Sequence, residues 1–230
     1  MAHRLFRIFL HSTAAALMIN GYYGLTKLPI NAFISAQYGG HLQYLTIQGL
    51  FIACATTLTS LTMDLLPSLT TTSEPLNAAL KPLKRILLYI SMPLSIVVTS
   101  IYWPLLLLAT QLILQSDGEP SSSSDAPKFT RIPLHLDIAL HAVPAITLLV
   151  DFLLFERKYS RTELIYGAST VSILYTTFYA WWVERCASFN GGRFPYPFLT
   201  NNPIDIRLAI YVGAGTLGFA SFWFINKLHS

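Results

Sequence analysis

Six apolar stretches, at 5–24, 44–66, 86–115, 134–155, 164–183 and 206–225, take up most of this 230-residue chain. A helix needs about 20 mostly apolar residues to cross a hydrocarbon core of about 30 Å, and each stretch meets that length. In lipid every backbone N–H and C=O must find its partner within the segment or a closed sheet, so runs of this length predict helices. The expected fold is all-α: a polytopic membrane protein in which six transmembrane helices form one domain over residues 1–230. The third stretch is the awkward one, because its 30 residues make a helix of about 45 Å. One tilted or kinked helix fits it better than two crossings, with Pro93 and Pro104 as kink points.

Charged residues are 11% of the chain, against about 25% in an average soluble domain. So little charge cannot coat a soluble fold. The 15 Lys and Arg residues, with a net charge of +4, fall in short clusters between apolar runs, which points to orientation in a bilayer and away from nucleic-acid binding. With the N-terminus cytoplasmic, that face holds Arg4, Arg7, Lys81, Lys84, Arg85, Arg157, Lys158, Arg161 and Lys227. Lys27, Lys128, Arg131, Arg185, Arg193 and Arg207 lie opposite. The two dense groups, KPLKR before the third stretch and ERKYSR after the fourth, share the first face, so both termini are expected to be cytoplasmic. His11 interrupts the first run and no small-x-small cleavage pattern follows before Gly21, so that run reads as a membrane helix and not a signal peptide. Residues 116–131, rich in Ser and Pro, read as a flexible loop. Cys54 and Cys186 match no metal spacing and read as reduced packing residues.

Polar residues within the spans are expensive and usually face the bundle interior. At 100° per residue, Asp137, His141, Pro144, Leu148 and Asp151 share one face of the fourth stretch. Thr46, Gly49, Ala53, Thr57, Ser60 and Asp64 share one face of the second. Small residues and threonines on such faces ordinarily serve close helix packing and local hydrogen bonding. A His four residues after an Asp is a stronger functional sign, because the acid can fix the imidazole tautomer. Asp64 and Asp151 sit near the far ends of their helices, where interfacial capping or pairing with Lys or Arg is expected. Thr46 and His141 lie near the starting ends of two parallel helices and so share a depth, which Glu184 and the loop 190–199 also reach. A hydroxyl, an imidazole and carboxylates at one depth are the components of base-assisted nucleophilic attack.

Three motifs, YGGHLQYLT at 38–46, LDIALHAVP at 136–144 and RFPYPFL at 193–199, resemble the androgen-induced protein family of multipass membrane hydrolases. The resemblance covers nearly the whole chain outside the Ser-rich loop. It implies hydrolysis of fatty acid esters of hydroxy fatty acids, with Thr46 as nucleophile and His141 as its base. It also implies residence in the endomembrane system, in the endoplasmic reticulum, with the bilayer and a lipid ester as partners and no metal or organic cofactor. The chain departs from relatives at Ile138, where a second His is common, and at Asp137, which replaces an Asn. The competing reading is a noncatalytic membrane protein, either a small transporter with an Asp137–His141 proton relay or a regulatory scaffold.

Overall fold

Apolar runs that must satisfy their own backbone become helices, and the computed structural model, which describes residues 2–69, 74–114 and 131–229, places helix in each of the six. Helix α1 (Ala2–Leu25) leads through the short α2 (Ile30–Ser35) and a 3-10 turn, Gly40–Gln43, into α3 (Leu45–Leu69). Helix α4 (Glu74–Leu108) follows, then α5 (Leu134–His141) and α6 (Val143–Phe155), which continue one another. A π-helical turn, Glu163–Ala168, opens α7 (Ser169–Phe189), and a single turn, α8 (Pro197–Thr200), precedes α9 (Ile204–Leu228). The expected loop at 116–131 lies outside the described residues except for Arg131.

Among the described residues, four spans are long and apolar enough to cross a membrane: Leu45–Leu66, Pro75–Leu108, Leu134–Phe155 and Ile204–Leu228. Helices α1 and α7 have the length, at 24 and 21 residues, but carry more polar side chains. The third stretch forms one helix, as expected, with shifted ends. Helix α4 runs for 35 residues with Pro82, Pro93 and Pro104 inside it, about 52 Å at the helical rise. It stops before Ala109, whose φ of −149° leaves the helical region, so residues 109–114 fall outside it.

The distribution of side chains is the reverse of a soluble domain. Leu107, Leu108, Phe9, Leu154 and Val212 stand exposed on the outside, while Thr56, Ser60, Asp64, Lys84 and Asp151 are buried. Such polarity suits hydrocarbon as the surrounding solvent. Helix α3 packs between α1 and α4, and α6 closes against α1 and α4. Met18, Leu50, Leu88, Met92, Leu148, Phe152 and Phe222 fill the space between them. Both polar faces anticipated from the sequence turn inward: all six named residues of α3 and all five of α5 and α6 are buried.

At one end of the bundle these faces meet in an ionic cluster. His11 of α1 places Nδ1 2.8 Å from Asp64 of α3 and Nε2 3.0 Å from Asp151 of α6. Lys84 of α4 contacts Asp151 at 2.8 Å and Glu156 at 2.7 Å, and Arg7 reaches Asp64 at 2.5 Å. The pairing of both aspartates with cations was expected, whereas the burial of Lys84 was not. Its place in KPLKR suggests a cytoplasmic loop charge, but α4 starts early enough to carry it inside, at 1% exposure.

Removing one partner from a buried ion pair leaves the other charge uncompensated, at about 3–5 kcal/mol. Lys84→Ala is therefore expected to lower stability by about that amount, read as a fall in melting temperature in detergent. Arg157→Ala, at a side chain 74% exposed, should leave the melting temperature unchanged.

Candidate functional site

The path of the chain into α3 fixes where Thr46 sits. Gly39 and Gly40 adopt φ of 83° and 47°, a left-handed conformation open to glycine at little cost. A β-carbon on Gly39 would also lie 2.5 Å from Cys186 Sγ. This turn leads through Gly40–Gln43 to Tyr44, which is extended, and α3 begins at Leu45. Thr46 therefore stands in the first turn, where the backbone N–H groups have no partner within the helix. Its side chain is also unlike the others along α3. Thr56, Thr57, Thr59, Ser60 and Thr62 each donate to the carbonyl four residues back, which commits their protons. Thr46 instead meets the hydroxyl of Tyr196.

His141 is placed by a break between helices. Pro144 has no N–H to continue the ladder, Ala142 departs to φ −121°, and His141 becomes the last residue of α5. Thr99 of α4 donates to the His141 backbone carbonyl, which the break leaves available. The ring lies flat on Tyr102, with centroids 3.4 Å apart and planes 2° from parallel. His141 Nδ1 is 2.8 Å from Asp137 Oδ1 and 3.1 Å from the Asp137 backbone oxygen. The N–H direction favours the backbone oxygen, and Oδ1 is an ionic neighbour without a well-directed hydrogen bond. Either acceptor holds the proton on Nδ1 and leaves the lone pair on Nε2.

Thr46 and His141 line the same narrow gap, too tight in this structure to hold a water molecule, together with Ser95 and apolar residues of α3, α4, α5 and α6. Thr46 also lines a larger cavity between α4, α7 and α9, with an empty volume of about 960 Å³ including its open mouth. Val97, Ile101, Tyr175, Ile210 and Gly218 give that cavity an apolar wall. Of the aromatic residues the sequence offers for such a path, Tyr102, Tyr175, Tyr179, Tyr196 and Phe198 line it; Trp103, Trp181, Trp182 and Phe194 do not. Tyr196, from the RFPYPFL loop, is extended just before α8. Burial pushes its phenol above the ordinary value, against the opposing contacts from Thr46 and the backbone at Thr46 and Leu45, so its hydroxyl stays protonated.

Glu184 shares the depth of the site but is otherwise engaged. Arg207 grips it through two hydrogen bonds of 2.7 and 2.9 Å, and Tyr211 adds a third at 2.9 Å. That pairing ties α7 to α9. Ser95 was not picked out from the sequence, because a lone serine on a proline-containing helix has no chemical signature. The sign is spatial: among the described residues it is a buried hydroxyl with no hydrogen-bond partner. No group of His, Cys, Asp and Glu among the described residues has the arrangement of a metal site.

The turn before α3 offers a direct check. Gly39→Ala combines a left-handed β-carbon with the contact to Cys186, and a penalty of about 1–3 kcal/mol is expected. Gly192→Ala has a similar φ of 81° but open space around it, so its melting temperature in detergent should fall less.

Comparison with known proteins agrees with the architecture. The model of the FAR-17a/AIG1-like protein family matches residues 6–230. A UPF0641 membrane protein of Schizosaccharomyces pombe is 28% identical over 225 residues, covering 96% of this chain and 88% of the relative. A UPF0641 membrane protein of Saccharomyces cerevisiae is 27% identical over 148 residues, covering 63% and 57% respectively. No solved structure matches the chain.

Proposed function

Because the chain belongs to the FAR-17a/AIG1-like family, we propose that it is an intramembrane hydrolase cleaving fatty acid esters of hydroxy fatty acids, with Thr46 as nucleophile and His141 as general base. The observation that carries this reading is the position of Thr46, on the wall of both the large apolar cavity and the narrow gap it shares with His141. A lipid ester has the same division: long chains that need an apolar channel and one polar linkage that needs catalytic groups. The cavity suits the chains, and the junction at Thr46 suits the linkage.

In this mechanism His141 Nε2 accepts the Thr46 proton as Oγ1 attacks the ester carbonyl carbon. The carbonyl π pair moves onto oxygen. Collapse of the tetrahedral intermediate re-forms the carbonyl and breaks the bond to the alcohol oxygen, which takes the proton from the imidazolium and leaves as the hydroxy fatty acid. Water then attacks the acyl-threonine, again losing a proton to His141; collapse breaks the bond to Thr46 Oγ1, which takes that proton back from the imidazolium, and the fatty acid is released. Asp137 supports the Nδ1–H tautomer that keeps Nε2 basic. A threonine hydroxyl is a weak nucleophile without such a base.

The same reading has six crossings, with both termini cytoplasmic and the site in the opposite, lumenal leaflet of the endoplasmic reticulum. Helices α1 and α7 serve as the two less apolar crossings. Their polar side chains face neighbours inside the bundle in several cases: His11 is fully buried, and Ser172 donates to the Gly215 carbonyl of α9.

Wild type, Thr46→Ala and His141→Ala, expressed at matched levels in membranes, should separate the readings. Hydrolysis of a branched fatty acid ester is expected to fall about 10²–10⁴-fold in His141→Ala. In Thr46→Ala, hydrolysis and labelling by a serine/threonine-hydrolase probe should vanish together. Undiminished hydrolysis in both variants would exclude the mechanism, and proton-coupled flux that survives Thr46→Ala would favour a transporter. For topology, an Asn-x-Thr acceptor inserted at 116–131 should be glycosylated, whereas the same acceptor appended at the C-terminus should not.

A further inference from the structure

The narrow gap has three polar residues on its wall, and the reaction above uses only two. Thr46 and His141 account for attack and proton transfer. The third is Ser95, on α4 opposite Thr46, with Gly49, Leu50, Val98, Leu140 and Pro144 completing the lining. Ser95 is 3% exposed, and among the described residues its Oγ has no hydrogen-bond partner.

That state is unusual for a serine in a helix. The neighbouring Ser91 hydroxyl is paired with that of Thr56 at 3.1 Å, and Thr56, Thr57, Thr59, Ser60 and Thr62 of α3 turn back onto their own carbonyls. Leaving a buried hydroxyl uncommitted is destabilising, and an apolar residue of the same size would avoid that cost. Ser95 keeps its donor free in a gap otherwise walled by carbon on that side. A donor held uncommitted beside a nucleophile and a base is arranged for an oxygen that arrives with the substrate.

Resting on the hydrolase reading, we propose that the side chains bounding the narrow gap between Thr46, Ser95 and His141 part to admit the ester carbonyl, and that Ser95 is a further catalytic residue donating a hydrogen bond to the carbonyl oxygen. As Thr46 Oγ1 bonds to the carbonyl carbon and its proton passes to His141, the π pair becomes a third lone pair on that oxygen. Ser95 keeps its own proton throughout and only strengthens its hydrogen bond as the charge develops. When the carbonyl re-forms and the alcohol departs with the imidazolium proton, Ser95 relaxes to the weaker bond. The acyl and alcohol chains lie in the larger cavity, which joins the gap at Thr46.

Ser95→Ala tests this with readouts that a packing role would not move together. Loss of an oxyanion donor is expected to lower kcat about 10²–10³-fold while KM for the branched ester changes less than about threefold. Binding of a trifluoromethyl ketone analogue, which forms the tetrahedral adduct, should weaken by a similar factor, whereas binding of an unreactive ether analogue should not change. The melting temperature of Ser95→Ala in detergent should equal or exceed that of wild type, since the variant removes an unpaired buried donor. Ser95→Thr, which keeps a hydroxyl, should retain more activity than Ser95→Ala.

Wild-type kcat in Ser95→Ala overturns the inference and leaves the Thr46 mechanism standing. So does a lowered melting temperature restored by Ser95→Thr, because the hydroxyl would then have a structural partner. A fall in kcat with unchanged affinity for the ketone also overturns it, assigning Ser95 to proton transfer. Absence of hydrolysis by wild type, or full hydrolysis by Thr46→Ala, removes the hydrolase reading and this inference with it.

Discussion

The cluster in which His11 bridges Asp64 and Asp151 and Lys84 pairs with Asp151 joins α1, α3, α4 and α6 at one end of the bundle. In hydrocarbon, neighbouring helices gain little by hiding apolar surface, because the lipid is as apolar as their side chains. Polar contacts and close packing must set the register. A carboxylate within 3.0 Å of each nitrogen of the buried His11 ring leaves little freedom to slide one helix along another, because a shift of one residue, about 1.5 Å, would separate the pairs.

That constraint acts at a distance. Thr46 and Asp64 lie 18 residues apart on α3, about 27 Å along the helix. Helix α3 carries the register set at the ionic end to the start of the helix, where Thr46 faces the gap. Helix α4 does the same between Lys84 and Ser95, and α5 with α6 between Asp151 and His141. The polar face of each helix thus serves two purposes: ion pairs at one end, and Thr46, Ser95 and His141 around one gap at the other. The hydroxyls between them, such as Thr57 and Ser60, are bonded to their own helix and allow close approach.

The prolines and glycines are placed where this arrangement needs irregular backbone. Pro144 ends α5 at His141, exposing a carbonyl that Thr99 takes up. Gly39 provides the left-handed turn that leads through Gly40–Gln43 into α3, which begins at Leu45, one residue before Thr46. The RFPYPFL loop carries Tyr196 over the same helix start, where it meets Thr46. Three segments distant in sequence therefore supply the groups around one hydroxyl.

The sequence by itself determined the helical class, the approximate limits of the helices and which faces turn inward, because the length and spacing of apolar runs report directly on the solvent they require. It also singled out Thr46 and His141, through the depth argument and the motifs around them, and the fold brings the two to the wall of one gap. It did not reveal that Lys84 is interior, that Glu184 is held by Arg207, or that Ser95 keeps a free hydroxyl. Helix ends slip under local backbone preferences, and the partner of a side chain is decided by helices far away in the chain. Those assignments came only from the tertiary structure, since a hydroxyl is committed or available according to what lies across from it, and periodicity gives a residue's face but not its neighbour.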